Sequence, residues 1–374
     1  MKLTILTFQH FIIKEKDMAK IKAAVIFGGT AQEHELSLAS AAEVIRNIPA
    51  DKYDVTCIGI TKKGRWLYFP GDVEEIADGS WETNTDNASA ILSPDPLHRG
   101  IVVLEDGDAT VRRIDVVFPV LQGKKGADGT IQALLDMSGI PYVGSGHLAA
   151  ASCMDKSHTH MMLDDYGIPT ADWKLITQRD INNIDKRCEE IAGSLGFPVI
   201  VKPANSGCSA GTTLANDMDG LKAAVKVAFS NDNKVLAERY IRGRRMEVAV
   251  FGYDSPFASN VGEILSVGGK YDPTEVRRTS FDDFSIPADL PDDVAANIRE
   301  TAVKTFKALG CKGLARVDFL LTADGELLLN KVVTSPGLRL NSVFPKLMAQ
   351  FGIEMPELVD MLLEQALENS ERAY

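Results

Sequence analysis

Apolar residues come in short blocks between polar turns, and the length and spacing of the blocks point to strands alternating with helices. "IKAAVIFGGT" (21–30) is an apolar run that ends in a Gly-Gly turn and predicts a strand. "HELSLASAAEVIRNIP" (34–49) predicts a helix, "YDVTCIGIT" (53–61) a second strand and "RIDVVFPVL" (113–121) a third. Strand, glycine turn, helix, strand opens an α/β layer on a mostly parallel sheet. Residues 74–112 are polar and turn-rich and predict a decoration of this layer.

Further along, "IPYVGSG" (140–146) predicts a short strand, and "HLAAASCMDKSHTHMMLDDYG" (147–167) a helix closed by Gly167 and Pro169. "PVIVKPANSGCSAGTTLAND" (198–217) reads as strand, small-residue loop and return strand, followed by a helix at 220–230. "KVLAERYI" (234–241) and "RRMEVAVFG" (244–252) predict strands around a turn at Gly243. A polar loop (266–285) and a long helix (292–309) follow. "GLARVDFLLT" and "GELLLNKVVT" then form a hairpin about "TADG", and a terminal helix lies near 356–369.

A chain of 374 residues predicts two to three domains, and 45% apolar with 25% charged residues is the balance of a folded soluble protein. The net charge of -12 disfavours nucleic acid, whose phosphates need a basic surface, but leaves room for a locally basic pocket. Five irregularly spaced Cys suggest neither a disulfide framework nor a Cys-based zinc site, and fit a reducing, cytoplasmic setting. No apolar run is long enough to predict a membrane span. Residues 1–20 lack a small-residue cleavage signal and read as an extension or a misassigned start.

Chemistry concentrates in a few places. "FGGT" could offer backbone N–H groups to an anion, or be a plain strand-to-helix turn. "ANSGCSAGT" (204–212), which follows Lys202 and contains Cys208 and Ser209, favours phosphate contact over a bare turn. Its small residues let backbone amides close on phosphate oxygens, and the lysine adds a charge. It lacks the Gly-Lys-Ser/Thr step of a P-loop. Lys156 reads either as a second phosphate ligand or as a solvated lysine. Glu238 reads as a ribose or adenine contact, or as a strand-end salt bridge. His158 and His160 stand two apart and share no helix face, which argues against a zinc pair. Asp318, with Asn330 on the paired strand, is a candidate oxygen-ligand Mg2+ site. Strand alternation puts Lys331, Val333 and Ser335 on one face, and Asn330, Val332 and Thr334 on the other.

"FGGTAQEHELSLASA", "VFPVLQGKKGADGTIQALLDMSGIPYVG", "CMDK", "GCSAG", "GLARVD" and "TSPGL" together resemble the D-alanine–D-alanine ligase family of the ATP-grasp superfamily. The likeness is to the branch that includes the D-alanine–D-serine ligases, and runs from about residue 20 to residue 370. It implies an α/β ATP-grasp fold: an N-terminal parallel-sheet domain (21–140), a central subdomain (141–247) and a C-terminal catalytic domain (248–374) that clasp the nucleotide. The implied reaction makes D-alanyl phosphate from ATP and D-alanine, then lets a second amine displace phosphate, as in peptidoglycan precursor synthesis. ATP, Mg2+, a small amino acid and a homodimer are implied with it, and no membrane. By the same resemblance Lys156 and Lys202 are the phosphate lysines, with Ser209 and Asn330 on the nucleotide side. Glu238 is the adenine-hinge residue, Glu247 the ribose-side carboxylate and Asp318 a metal ligand. Glu33 holds the first ammonium, Arg316 steadies the acyl phosphate, and Cys208 stands where a serine is usual.

Several positions depart from the family pattern. The strand that usually reads Asn-Glu-(apolar)-Asn-Thr is Asn330-Lys331-Val332-Val333-Thr334, which removes two metal ligands. The loop Tyr271-Asp272-Pro273-Thr274-Glu275-Val276-Arg277 lacks the usual lysine and closing tyrosine. Gln122 and Ala127 replace His and Glu, and Arg339-Leu340 replaces Thr-Ser. The losses fall on one functional surface and predict poorly neutralised phosphates and weak ligation, with Lys331 replacing one metal charge only in part. Beside the ligase reading stand a nucleotide-binding protein with weak or no ligase activity, and a ligase for another acceptor. The last requires Arg277 and Arg339 to point into the cleft.

Overall fold

A computed structural model describes residues 19–207, 210–265 and 284–372, the last three without their side chains. Cys208, Ser209 and the loop 271–277 therefore lie outside the described residues. Strand β1 (Ile21–Gly28) pairs in parallel with β2 (Tyr53–Ile60) and, on its other edge, with β7 (Val116–Val120). Its side chains alternate between two cores. Ala23, Val25 and Phe27 enter one, and Ala24 and Ile26 the other. A strand covered on both faces reads as an unbroken apolar run, which is why "AAVIF" shows no polar alternation. Helix α1 (His34–Asn47) packs its buried Leu38, Ala41 and Val44 into the first of these cores.

The segment 74–112 builds sheet instead of decorating it. Antiparallel β3 (Trp66–Phe69), β4 (Ala88–Leu92), β5 (Gly100–Glu105) and β6 (Asp108–Arg113) extend the parallel strands to a seven-stranded sheet. The polar composition has a physical source: β6 is an edge strand exposed at every position. Within this stretch Trp81 is fully buried, edge-on to Phe27 with ring centroids 5.0 Å apart. Helix α2 (Val73–Asp78) precedes it and contributes the buried Ile76, and α3 (Thr130–Ser138) covers the opposite core with Ile131 and Leu135.

The stretch 140–146 forms a single bridge, Val117 to Tyr142, and no strand. The predicted helix 147–167 is two helices, α4 (His147–Met154) and α5 (Lys156–Asp165). The break is a cap: the Asp155 carboxylate accepts from the Ser157 and His158 amides at 3.0 and 3.3 Å. Strands β8 (Trp173–Thr177), β9 (Val199–Pro203), β10 (Thr213–Ala215) and β11 (Lys234–Arg239) make an antiparallel sheet, order β10-β9-β11-β8. Helices α6 (Ile184–Leu195) and α7 (Met218–Phe229) lie on it.

β12 (Arg244–Gly252) belongs to a third sheet, so the run 234–252 is no hairpin. Both edges of β11 are already taken by β8 and β9. The third sheet contains β12, β13 (Phe257–Ala258), β14 (Gly262–Ile264), β15 (Phe284–Ser285), β16 (Gly313–Leu321) and β17 (Leu327–Val333). Helix α8 (Asp292–Ala308) packs on one face. Helices α9 (Val343–Gln350) and α10 (Met355–Arg372) share the other core with the first sheet. Two hydrogen bonds fasten the segment after β17 to the elements of the first sheet's layer: Ser335 Oγ to the carbonyl of Leu121, just after β7, 2.6 Å, and the Leu338 amide to Ser40 Oγ on α1, 3.2 Å. Among the described residues no helix is long and apolar enough to cross a membrane.

The Trp81 seat gives a stability prediction. A Cβ on Gly59 would lie 2.0 Å from the Trp81 ring, which has no room to move. Gly59→Ala is expected to lower the unfolding free energy by about 1–3 kcal/mol, the usual cost of overpacking. Denaturant unfolding measures it, and an unchanged midpoint would contradict the seat.

Candidate functional site

A cavity of about 180 Å³ opens where the three sheets meet, and Glu33, Gln122, Lys156, Arg316, Lys331 and Val333 are among the residues that line it. Glu33 is the residue before α1 and makes no capping bond. Its carboxylate lies against two glycines: a Cβ on Gly123 would come within 2.3 Å of Oε2, and one on Gly207 within 3.1 Å of Oε1. Gly123 also has φ +68°, a conformation that disfavours a side chain. Only glycine at 123 leaves space for this carboxylate.

The cap at Asp155 sets Lys156 as the first residue of α5. The half-buried lysine is not a solvated one. Its Nζ donates to the Ser206 carbonyl at 2.8 Å and to those of Pro203 and Ala204 at 3.3 Å. Burial, with repulsion from Lys202 and Lys331, pulls its ammonium down to about 7. Lys156 thus stands in a region of positive potential, with Lys202 and Lys331 near it, that is suited to an anion.

Lys202, on β9, is buried and pairs through Nζ with Glu238 Oε2 at 2.6 Å. The other oxygen of Glu238 meets His160 Nε2 at 3.0 Å. Burial pushes this carboxyl up, but Lys202 and His160 outweigh it and hold it at about 2. The carboxylate of Glu238 is thus committed to a buried ion pair. His160 stacks on Trp173 with centroids 5.3 Å apart, and the sequence offered no signal for this role beyond one histidine on a helix. His158 points elsewhere, with Nδ1 at 3.3 Å from Asp155.

The floor comes from β12, β16 and β17. Register sets Glu247 opposite Asp318 and Lys331 opposite Asp318 from the other side. Alternation adds Arg316 and Val333 to the same face. Arg316 Nε and Nη2 donate to the two oxygens of Asp318 at 2.7 and 2.8 Å, and Nε stands 3.1 Å from Glu247 Oε2. Arg245 Nη2 reaches Glu247 Oε1 at 3.8 Å. Burial raises the Glu247 carboxyl above the ordinary range, against the pull of Arg316, and the nearby Asp318 raises it further. For Asp318 burial also opposes ionisation, but the bidentate Arg316 prevails and keeps it low. Asn330 is the extra residue of a β-bulge: pairing passes from Asp318–Lys331 to Phe319–Leu329. It does not line the cavity.

Gln122, where the resemblance expects His, is buried with both side-chain polar atoms unpaired among the described residues. Arg339 is exposed and does not line the cavity, so the reading that needs it there loses its support. Among the described residues no three His, Cys, Asp or Glu side chains are grouped to hold a metal ion.

Comparison with known proteins gives matches over nearly the whole chain. Residues 22–145 match the model "D-ala D-ala ligase N-terminus", and 162–364 match "D-ala D-ala ligase C-terminus". A D-alanine–D-alanine ligase of Acetivibrio thermocellus is 41% identical over 362 residues, covering 93% of this chain and 96% of the relative. The vancomycin B-type resistance protein VanB of Enterococcus faecalis is 39% identical, covering 94% and 100%. The crystal structure of the VanG D-Ala:D-Ser ligase from Enterococcus faecalis superposes with a TM-score of 0.85 at 34% identity, covering 93% of this chain and 99% of that one.

The depressed Lys156 predicts a pH dependence. Its ammonium, the form that binds an anion, is present below about pH 7 and lost above it. Affinity for ADP is therefore expected to fall about tenfold between about pH 6 and pH 8, following the protonated fraction. Calorimetric titration of wild type and Lys156→Met measures it. The same slope in both proteins would show that Lys156 is not the titrating group.

Proposed function

The chain belongs to the D-alanine–D-alanine ligase family, and we propose that it is an ATP-dependent, ADP-forming ligase for D-alanine or a related D-amino acid. The observation that supports this reading is one cavity whose lining sets the carboxylate of Glu33 with the cations of Lys156, Arg316 and Lys331. A zwitterionic amino acid has that polarity: its ammonium goes to Glu33 and its carboxylate toward the cations. A carboxylate oxygen then attacks the terminal phosphorus of ATP, the bond to the bridging oxygen breaks, and ADP leaves. The cations on this side stabilise charge spread over the transferring group. In the second step an amine attacks the acyl carbon and phosphate departs. Arg316, held rigid by Asp318 and Glu247, faces the oxyanion of that tetrahedral intermediate. The dipeptide or related product would serve cytoplasmic peptidoglycan precursor synthesis.

Mg2+, which the family implies, does not fit the donors present. It takes hard oxygen ligands in near-octahedral geometry. Both oxygens of Asp318 are bound by Arg316, and the two other expected ligand positions hold Lys331 and Val333. These same residues favour a second reading, a nucleotide-binding member of the family with little or no turnover.

The test is phosphate release by the purified protein with ATP, MgCl2 and a panel of D- and L-amino acids. D-amino-acid-dependent release is expected, and Glu33→Gln is expected to reduce it by about 100-fold or more, the scale of losing one oriented charged contact. No amino-acid-dependent release with any of the panel would overturn the ligase reading and leave the second.

A further inference from the structure

We propose that Lys331 takes the place of a divalent cation, so that this site binds the phosphates of ADP and ATP without a metal ion. The inference rests on the nucleotide reading above, but not on turnover. Three features of the floor carry it. First, the carboxylate that would anchor a metal is already saturated by a fixed cation: Arg316 donates to both oxygens of the buried Asp318, at 2.7 and 2.8 Å. A metal ion there would have to displace a bidentate, charge-assisted pair.

Second, the local charge is already positive without a metal ion. Glu247 and Asp318 supply two negative charges, and Arg245, Arg316 and Lys331 three positive ones. The register holds Lys331 directly across from Asp318, and the cavity is lined by Lys331 and not by Asp318. A divalent ion entering the cavity would meet an ammonium where it needs an oxygen donor. Third, Val333 is directly across from Arg316 on the same face, and offers no ligand atom at all.

An anion meets the opposite situation. Lys331, Lys156 and Arg316 converge on the same cavity from β17, α5 and β16. Lys156 and Lys331 are close enough to repel one another appreciably. Phosphate oxygens placed between them would relieve that repulsion and gain charge-assisted hydrogen bonds. A lysine gives a point charge with three donors, well suited to a phosphate though unable to bridge two oxygens as a metal does. The site as built therefore replaces a metal-bridged phosphate clamp with protein cations.

The experiment is calorimetric titration of ADP and of ATP into the full chain, once with EDTA and once with MgCl2. Wild type is expected to bind in EDTA with a Kd within about threefold of that in MgCl2, or tighter. Lys331→Gln is expected to weaken binding in EDTA by about tenfold or more, and Lys331→Arg to keep most of it. Lys331→Glu is expected to lose binding in EDTA, with MgCl2 restoring part of it. Circular dichroism melts of each variant exclude misfolding as the cause, and Lys331→Arg retains a readout if the neutral variant is unstable. Wild-type binding that weakens about tenfold or more in EDTA would overturn the inference while leaving the nucleotide reading intact. No binding under either condition would overturn both. Binding in EDTA without turnover would support the inference and count against the ligase reading alone.

Discussion

A buried guanidinium clamped between two carboxylates, Arg316 between Asp318 and Glu247, is the interaction on which the site depends. Charges taken out of water persist only when each has a partner in good geometry, and removing one partner leaves the other stranded. Three adjacent strands meet that requirement through register alone. Arg316 and Asp318 are two apart on β16 and share a face, β12 brings Glu247 beside them, and β17 brings Lys331. The opposite faces of the same strands carry Val248, Val317 and Val332 into an apolar core, so none of them can slip by one residue without burying unpaired charge. The floor is rigid for the same reason that it is charged.

The walls are positioned by smaller constraints. Glu33 has its place because Gly123 and Gly207 present no side chain to its carboxylate. Lys156 has its place because Asp155 ends one helix and caps the next. The bond from Ser335 to the Leu121 carbonyl holds the segment after β17 against the first sheet, which closes the cavity between elements distant in sequence. Lys202, Glu238 and His160 form a second buried charge network beside the first. Its members are largely satisfied by one another, which leaves Lys156, Arg316 and Lys331 as the cations that face the cavity.

Much of this architecture is legible in the sequence. Apolar runs mark β1, β2, β7, β9 and the β16–β17 hairpin, because buried strands need unbroken apolar segments. The hidden parts follow from cues that are not periodic. β6 has no buried face, β4 is only five residues long, and neither imposes a pattern on 74–112. The break at Asp155 is made by a side-chain cap, with no proline or glycine to announce it. The runs at 234–241 and 244–252 look like a hairpin, yet pairing partners from elsewhere claim both edges of β11. In the site, strand alternation correctly sets Lys331 and Val333 on one face, while the bulge at Asn330 is invisible to a period of two. Family resemblance points to Glu33, Lys156, Lys202 and Arg316. Alternation also sets Arg316 and Asp318 on one face of β16, whereas the pairing of Lys202 with Glu238 across two strands is tertiary information that no spacing rule contains.

The central claim is that protein cations occupy the position a metal would take, and anomalous diffraction reads it directly. Crystals grown with ADP and MnCl2 would place any bound Mn2+ by its anomalous signal, Mn2+ standing in for Mg2+ as a hard, oxygen-seeking ion. The account predicts phosphate oxygens within about 3 Å of Lys331 Nζ and no anomalous peak between them and Asp318. A Mn2+ peak coordinated by the Asp318 carboxylate, with Arg316 turned away from it, would contradict it.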